Sequence, residues 1–127
     1  MLCGLAVRRP HALLAAFALG ALASACGGGA DQRPADWAYI HAAIVVPSCA
    51  SASCHSSGTR AGGLDFQDAA ATRQKWLDAP YVTPGDPNSP ILYLLEGRER
   101  DRMPPSSPLP SADIELIQRW IVEGANP

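Results

Sequence analysis

Four residues separate Cys49 from Cys54 in the stretch CASASCH, and His55 follows the second cysteine directly. No other feature of the 127 residues limits the possible folds as much. Cys3 falls in a leader and Cys26 at its end, so Cys49 and Cys54 are the thiols left to the body of the chain. Outside the cytoplasm two thiols this close oxidise to a disulfide unless something else claims them. Iron–sulfur ligation by the chain alone wants four cysteines. A structural zinc site is short of a ligand, because Cys49, Cys54 and His55 have no second Cys/His cluster to complete a tetrahedron.

Arg8 and Arg9 precede HALLAAFALGALASA, an apolar run of signal-peptide length that is too short for a comfortable membrane span. Residues 1–25 are therefore expected to be a signal peptide. Ser24 and Ala25 before Cys26 resemble a bacterial lipobox, in which the leader is cut and the new N-terminal cysteine is acylated. Ala23 stands where leucine is usual, with Leu22 one step further out, and an ordinary secretory leader cut after Ala25 is the alternative. Either reading predicts export. Gly27 lacks the aspartate associated with inner-membrane retention, which favours the outer membrane. Three glycines and Pro34 make residues 26–35 read as a flexible tether.

Without Arg8 and Arg9 the chain has eight basic and twelve acidic residues, a net charge of −4 with His neutral. It has no basic patch of the kind nucleic-acid binding requires. The remaining residues, 36–127, make one small domain. Its core can only be modest, so a covalent staple or a large buried cofactor would help it fold.

The pattern is all-α. Trp37, Ile40 and Ile44 share a helical face, with Asp36 as N-cap and Pro47 as stop. A glycine-rich loop carries the cysteines. A helix is expected over residues 68–79, and another where Ile91, Leu92 and Leu95 follow Pro90. DRMPPSSPLP contains four prolines and excludes both helix and central strand. The last helix reads most clearly, with Ser111 as N-cap, a stripe of Ile114, Ile117 and Ile121 with Trp120 beside it, and Gly124 as its end. Long loops in so small a domain need a reason, and a central prosthetic group on which they pack would supply one.

Covalent haem attachment needs two thiols to reach two vinyl groups and an imidazole just beyond them, usually as C-x-x-C-H. Here the spacer is two residues longer. Ala50, Ser51, Ala52 and Ser53 are all small, so an outward bulge that keeps both sulfurs in place is sterically cheap. Once the leader is gone, Met103 is the only methionine. A sulfur on a polar, proline-braced loop is poorly explained as core filler and could be presented to iron. His41 competes for that position, but lies off the Trp37–Ile40–Ile44 stripe and reads as solvated or marginal. Trp76, Tyr81 and Tyr93 read as core aromatics that could also line a pocket. GRERDR, before Met103, reads as a solvated loop that could alternatively dock a partner or pair with propionates. The alternative for the whole motif is a plain Cys49–Cys54 disulfide in a haem-free interaction module, with His55 at the surface.

Residues 36 to 125 resemble the small c-type cytochrome domains of exported bacterial lipoproteins. The resemblance rests on VVPSCASASCH, GGLDF, VTPGDPNSPILY, MPP and IELIQRWIVEGA, in this order. It implies crossed first and last helices with long loops around one covalent haem c. It also implies Cys49 and Cys54 as thioether carriers, His55 as proximal and Met103 as distal iron ligand. The implied function is single-electron transfer between redox protein partners, in the periplasm or at the cell surface. The carrier would be a non-enzymatic monomer, held to a membrane by lipid at Cys26.

Overall fold

The computed structural model describes residues 29–98 and 101–127. The expected signal peptide, Cys26 and the start of the expected tether lie outside them. Among the described residues there is no strand, and no helix is long and apolar enough to cross a membrane.

The first helical stretch is built from α1 (Trp37–Ile40), a π turn (His41–Val45) and α2 (Val46–Cys49) in unbroken succession. Asp36 caps it as expected, its carboxylate accepting the Tyr39 N–H at 2.8 Å. Pro47 does not stop it. In a regular α-helix Pro47 would press its ring on the Ala43 carbonyl and leave that group without an N–H. The π turn shifts the ladder just upstream, where the Val46 N–H reaches His41 O five residues back. Pro47 then falls in the first turn of α2, where a missing N–H costs little.

α3 (Ala69–Asp78) begins at Asp68, whose carboxylate accepts the Ala71 N–H at 2.7 Å. α4 (Pro90–Glu96) opens on Pro90 and ends at Gly97, which takes the left-handed conformation that closes a helix. α5 (Ser111–Val122) starts one position earlier than Ser111 as cap would require: Pro110 holds the cap position and Ser111 is the first helical residue. Asp113 nevertheless sits in the first turn, where the helix dipole favours a carboxylate.

Three tryptophans interlock at the centre. Trp37 lies 4.9 Å from Trp120 and 5.3 Å from Trp76, centroid to centroid. Ile40, Ile44, Ile117 and Ile121 close around them. The first and last helices therefore pack on each other, as in a small cytochrome c-like domain. The buried face of α5 is rotated from the stripe read in the sequence: Leu116, Ile117, Trp120 and Ile121 are buried, while Ile114 is only partly covered. Two polar clasps lock the helices further. Arg73 donates from Nε and Nη2 to Ala125 O, and Trp120 Nε1 donates to Asn126 O at 2.7 Å.

The tether expected over residues 26–35 is not free along its whole length. Arg33 pairs with Asp113 of α5 at 2.5 Å and with Asp31 at 2.7 Å. Arg119 of α5 donates to the carbonyls of Asp31 and Arg33. The hydrogen bonds from Arg33 hold the Asp31 carboxyl down at about 2. Residues 31–35 thus belong to the folded domain. Periodicity could not show this, because the contacts are made by single charged side chains.

Candidate functional site

A cleft of about 410 Å³ opens between the cysteine loop, α4 and the proline-rich loop. Cys49, Cys54, His55 and Met103 all border it, although 47 residues separate His55 from Met103. The remaining lining includes Leu64, Phe66, Trp76, Ile91, Leu94 and Leu95, and among the described residues no Asp, Glu, Lys or Arg contributes to it.

The spacer makes a tight outward turn. Ala50 is buried at the end of α2, Ser51, Ala52 and Ser53 are exposed, and the Cys54 N–H closes the turn onto Ser51 O at 2.9 Å. The two extra residues are therefore taken up on the solvent side while both cysteines stay at the cleft. The loop is then sewn to itself: His55 N–H donates to Cys49 O, Ala61 N–H to Cys54 O, and the Thr59 hydroxyl to Ala52 O. The two thiols are free and sit in different environments. Burial, reinforced by the neighbouring Cys54, pushes the Cys49 thiol up to about 11. Hydrogen bonds from Ser51 and then Ser53 lower that of Cys54.

His55 is oriented by its own loop. Its Nδ1 lies 2.9 Å from Ala61 O. A carbonyl can only accept, so Nδ1 carries the proton and the Nε2 lone pair is left for a ligand. A hydrogen bond of this kind fixes the tautomer and raises the basicity of a metal-bound imidazole. The Phe66 ring packs 4.7 Å from the imidazole.

Met103 is held from the other side. Its N–H donates to Leu94 O of α4 at 3.0 Å, and Arg102 Nη2 bonds Pro105 O at 3.3 Å. Gly97 has a φ of 69°, and a Cβ there would lie 2.7 Å from Arg102 Cδ. The glycine is thus needed both to end α4 and to let the Arg102 stem pass. Met103 itself is 38 % exposed, which fits presentation at a cleft mouth better than core filling.

The structure corrects the reading of His41. It is buried, not marginal, and its Nε2 donates to Phe66 O at 3.0 Å. At about 100° per residue it lies only about 40° from Trp37 around the helix, so the buried stripe is wide enough to take it in. It does not border the cleft. Among the aromatics, Trp76 is both core and cleft wall, and Tyr81 also borders the cleft. Tyr93 turns elsewhere, under the Arg98 guanidinium. Of GRERDR, Arg98 pairs with Glu96, Arg102 braces the methionine loop, and residues 99–100 lie outside the described set. Sequence reasoning had no signal for Ile91, Leu94 and Leu95 as cleft wall, because a helical stripe shows burial without showing what it is buried against.

The cleft suits a flat apolar cofactor that brings its own metal. Its volume lies within the range of small-molecule and cofactor sites, and apolar side chains predominate. Its donors are two thiols, one free imidazole nitrogen and one thioether, the set that holds a haem of the c type. Trp76 Nε1 is buried without a hydrogen-bond partner among the described residues, a donor left over at the cleft wall. By contrast, no three His, Cys, Asp or Glu among the described residues are grouped to chelate a bare ion.

No curated protein and no solved structure matches the chain. Residues 52–107 match the family model described as Planctomycete cytochrome C. The matched span opens inside the spacer, includes Cys54, His55 and Met103, and stops before α5. Taken with an all-helical domain whose first and last helices pack together, the match supports a cytochrome c-like domain and, with it, electron transfer.

Proposed function

We propose that this domain is a monohaem c-type cytochrome that passes single electrons between protein partners outside the cytoplasm. The observation that carries the reading is the convergence of Cys49 at the end of α2, Cys54 and His55 in the loop after it, and Met103 in a distant loop on one apolar cleft. Bound haem would supply a one-electron iron couple. Cys49 and Cys54 would hold it by thioethers, His55 would offer Nε2 as one iron ligand, and Met103 would offer sulfur as the other. Apolar walls and a thioether ligand would both disfavour the more highly charged oxidised form and so raise the potential of bound haem. If His55 and Met103 both held the iron, bound haem would have no open site for a substrate, and the protein would act as a carrier.

Met103→Ala tests the ligand assignment. The oxidised wild type should show the weak sulfur-to-iron absorption band near the red end of the spectrum, and the variant should lose it while keeping its haem. A band that survives the substitution assigns the distal position to another residue.

Cys26 is proposed as the lipid anchor, which makes the protein an exported lipoprotein facing the periplasm or the cell surface. Cys26→Ser should move the protein from the membrane fraction to the soluble periplasmic fraction on fractionation. Unchanged membrane association would sink the anchor.

A further inference from the structure

His41 is a buried titratable side chain for which electron transfer has no evident use, and its contacts lead to His55. Its Nε2 lies 3.0 Å from Phe66 O, and because the carbonyl can only accept, His41 is the donor. Phe66 in turn holds His55 twice. The Phe66 N–H donates to His55 O at 2.8 Å, and the Phe66 ring stands 4.7 Å from the imidazole. Phe66 is 6 % exposed and His41 likewise, so neither bond competes with water. The other supports of His55 are the bond from its N–H to Cys49 O at 3.0 Å and the bond from Nδ1 to Ala61 O. Two of its four restraints therefore run through one residue, and that residue is pinned to the first helical stretch by His41.

The placement of His41 is itself local. It opens the π turn, and its ring leans on Trp37 at 5.7 Å. π turns occur mostly inside α-helices and often at functional sites. Here the turn lies between the capped start of the helix and the cysteine at its end, so the segment that presents Cys49 also presents the donor that steadies Phe66.

We propose that His41 is a positioning residue: by fixing Phe66 through its Nε2–H, it sets the plane in which the His55 imidazole meets the iron. The proposal rests on the reading of His55 as iron ligand. It gives His41 a role behind the proximal histidine and takes it out of competition for the distal place, since its Nε2 is engaged and it does not border the cleft.

The test compares His41→Gln, whose amide can reach the same carbonyl, with His41→Asn, which is polar but too short to reach it. Two readouts are taken on each. In the haem-loaded protein, hydrogen exchange at the Phe66 amide is measured against amides in the middle of α5. On the same sample, the g-value spread of the oxidised low-spin iron reports the orientation of the iron's ligands. The expected result is that His41→Asn raises Phe66 exchange by at least tenfold relative to α5 and alters the g-value spread, while His41→Gln stays close to wild type in both. Asn and Gln variants that behave alike, or an Asn variant with wild-type exchange at Phe66 and a wild-type iron signal, overturn the proposal. A wild type that carries no haem overturns the cytochrome reading and the role of His41 in it. That failure is distinct, because it is read on the wild type before any variant is compared.

Discussion

Trp120→Ala should lower the stability of the folded domain by about 3–5 kcal/mol, the usual cost of emptying a buried tryptophan site. Trp120 is 1 % exposed, its ring lies 4.9 Å from Trp37 and 6.5 Å from Trp76, and its Nε1 holds Asn126 O. Its removal opens a void between the first and last helices and frees the C-terminal segment at once. A domain of this size has roughly 5–15 kcal/mol in total, so the loss consumes a large share of it. The thermal midpoint should fall by on the order of 20 °C. Val122→Ala two residues on is the control, because Val122 is 48 % exposed and the change should stay within about 0.5 kcal/mol. Thermal and urea unfolding of both variants check this. A Trp120→Ala variant within about 1 kcal/mol of wild type would mean that the tryptophan cluster is not the keystone of the fold.

The double variant Cys49→Ser/Cys54→Ser should leave no haem on the polypeptide after denaturation and extraction, whereas each single variant should keep it through one remaining thioether. A hydroxyl at either position cannot form the sulfur bond. The singles are expected to differ in their reduced pyridine spectra from the wild type, because one vinyl group is then left intact. Haem loss that is complete in either single variant would mean that the pair is not a two-point anchor. A double variant that retains covalent haem would place the attachment elsewhere in the chain.

The helices were legible because burial leaves a period. Trp37, Ile40 and Ile44, the Pro90 start of α4 and the Trp120 face of α5 all follow from apolar spacing and from capping residues whose chemistry is local. Errors arose where one local rule met another. Pro47 reads as a stop on its own, and only the π turn before it lets the helix continue to Cys49. Ser111 reads as a cap, but Pro110 already has the extended conformation a cap position needs, so the helix begins one residue early.

The candidate site was legible in its chemistry and not in its walls. CASASCH and a lone methionine among prolines stand out because a thiol pair followed by an imidazole, and a thioether outside any apolar stripe, each suit few chemistries. The outward turn of the spacer was also foreseeable from four small residues. The bond from His55 to Ala61 O, the support of Phe66 by His41 and the approach of α4 to the cleft depend on loop paths that carry no periodicity. The Arg33 and Arg119 clasp on residues 31–35 is of the same kind, since a charged side chain in a polar stretch gives no sign of what it will meet.

The most direct test of the central claim is the mass and reduced pyridine spectrum of the wild-type polypeptide. The protein would be exported alongside a haem-attachment system, denatured and extracted with acidic organic solvent. One haem retained on the chain, with the spectrum of two thioether bonds, is the predicted result and shows that CASASCH works despite its four-residue spacer. A haem-free chain two hydrogens lighter than its reduced form, from a host that attaches haem through spacers of this length, would contradict it. It would make Cys49 and Cys54 a disulfide and the domain an interaction module.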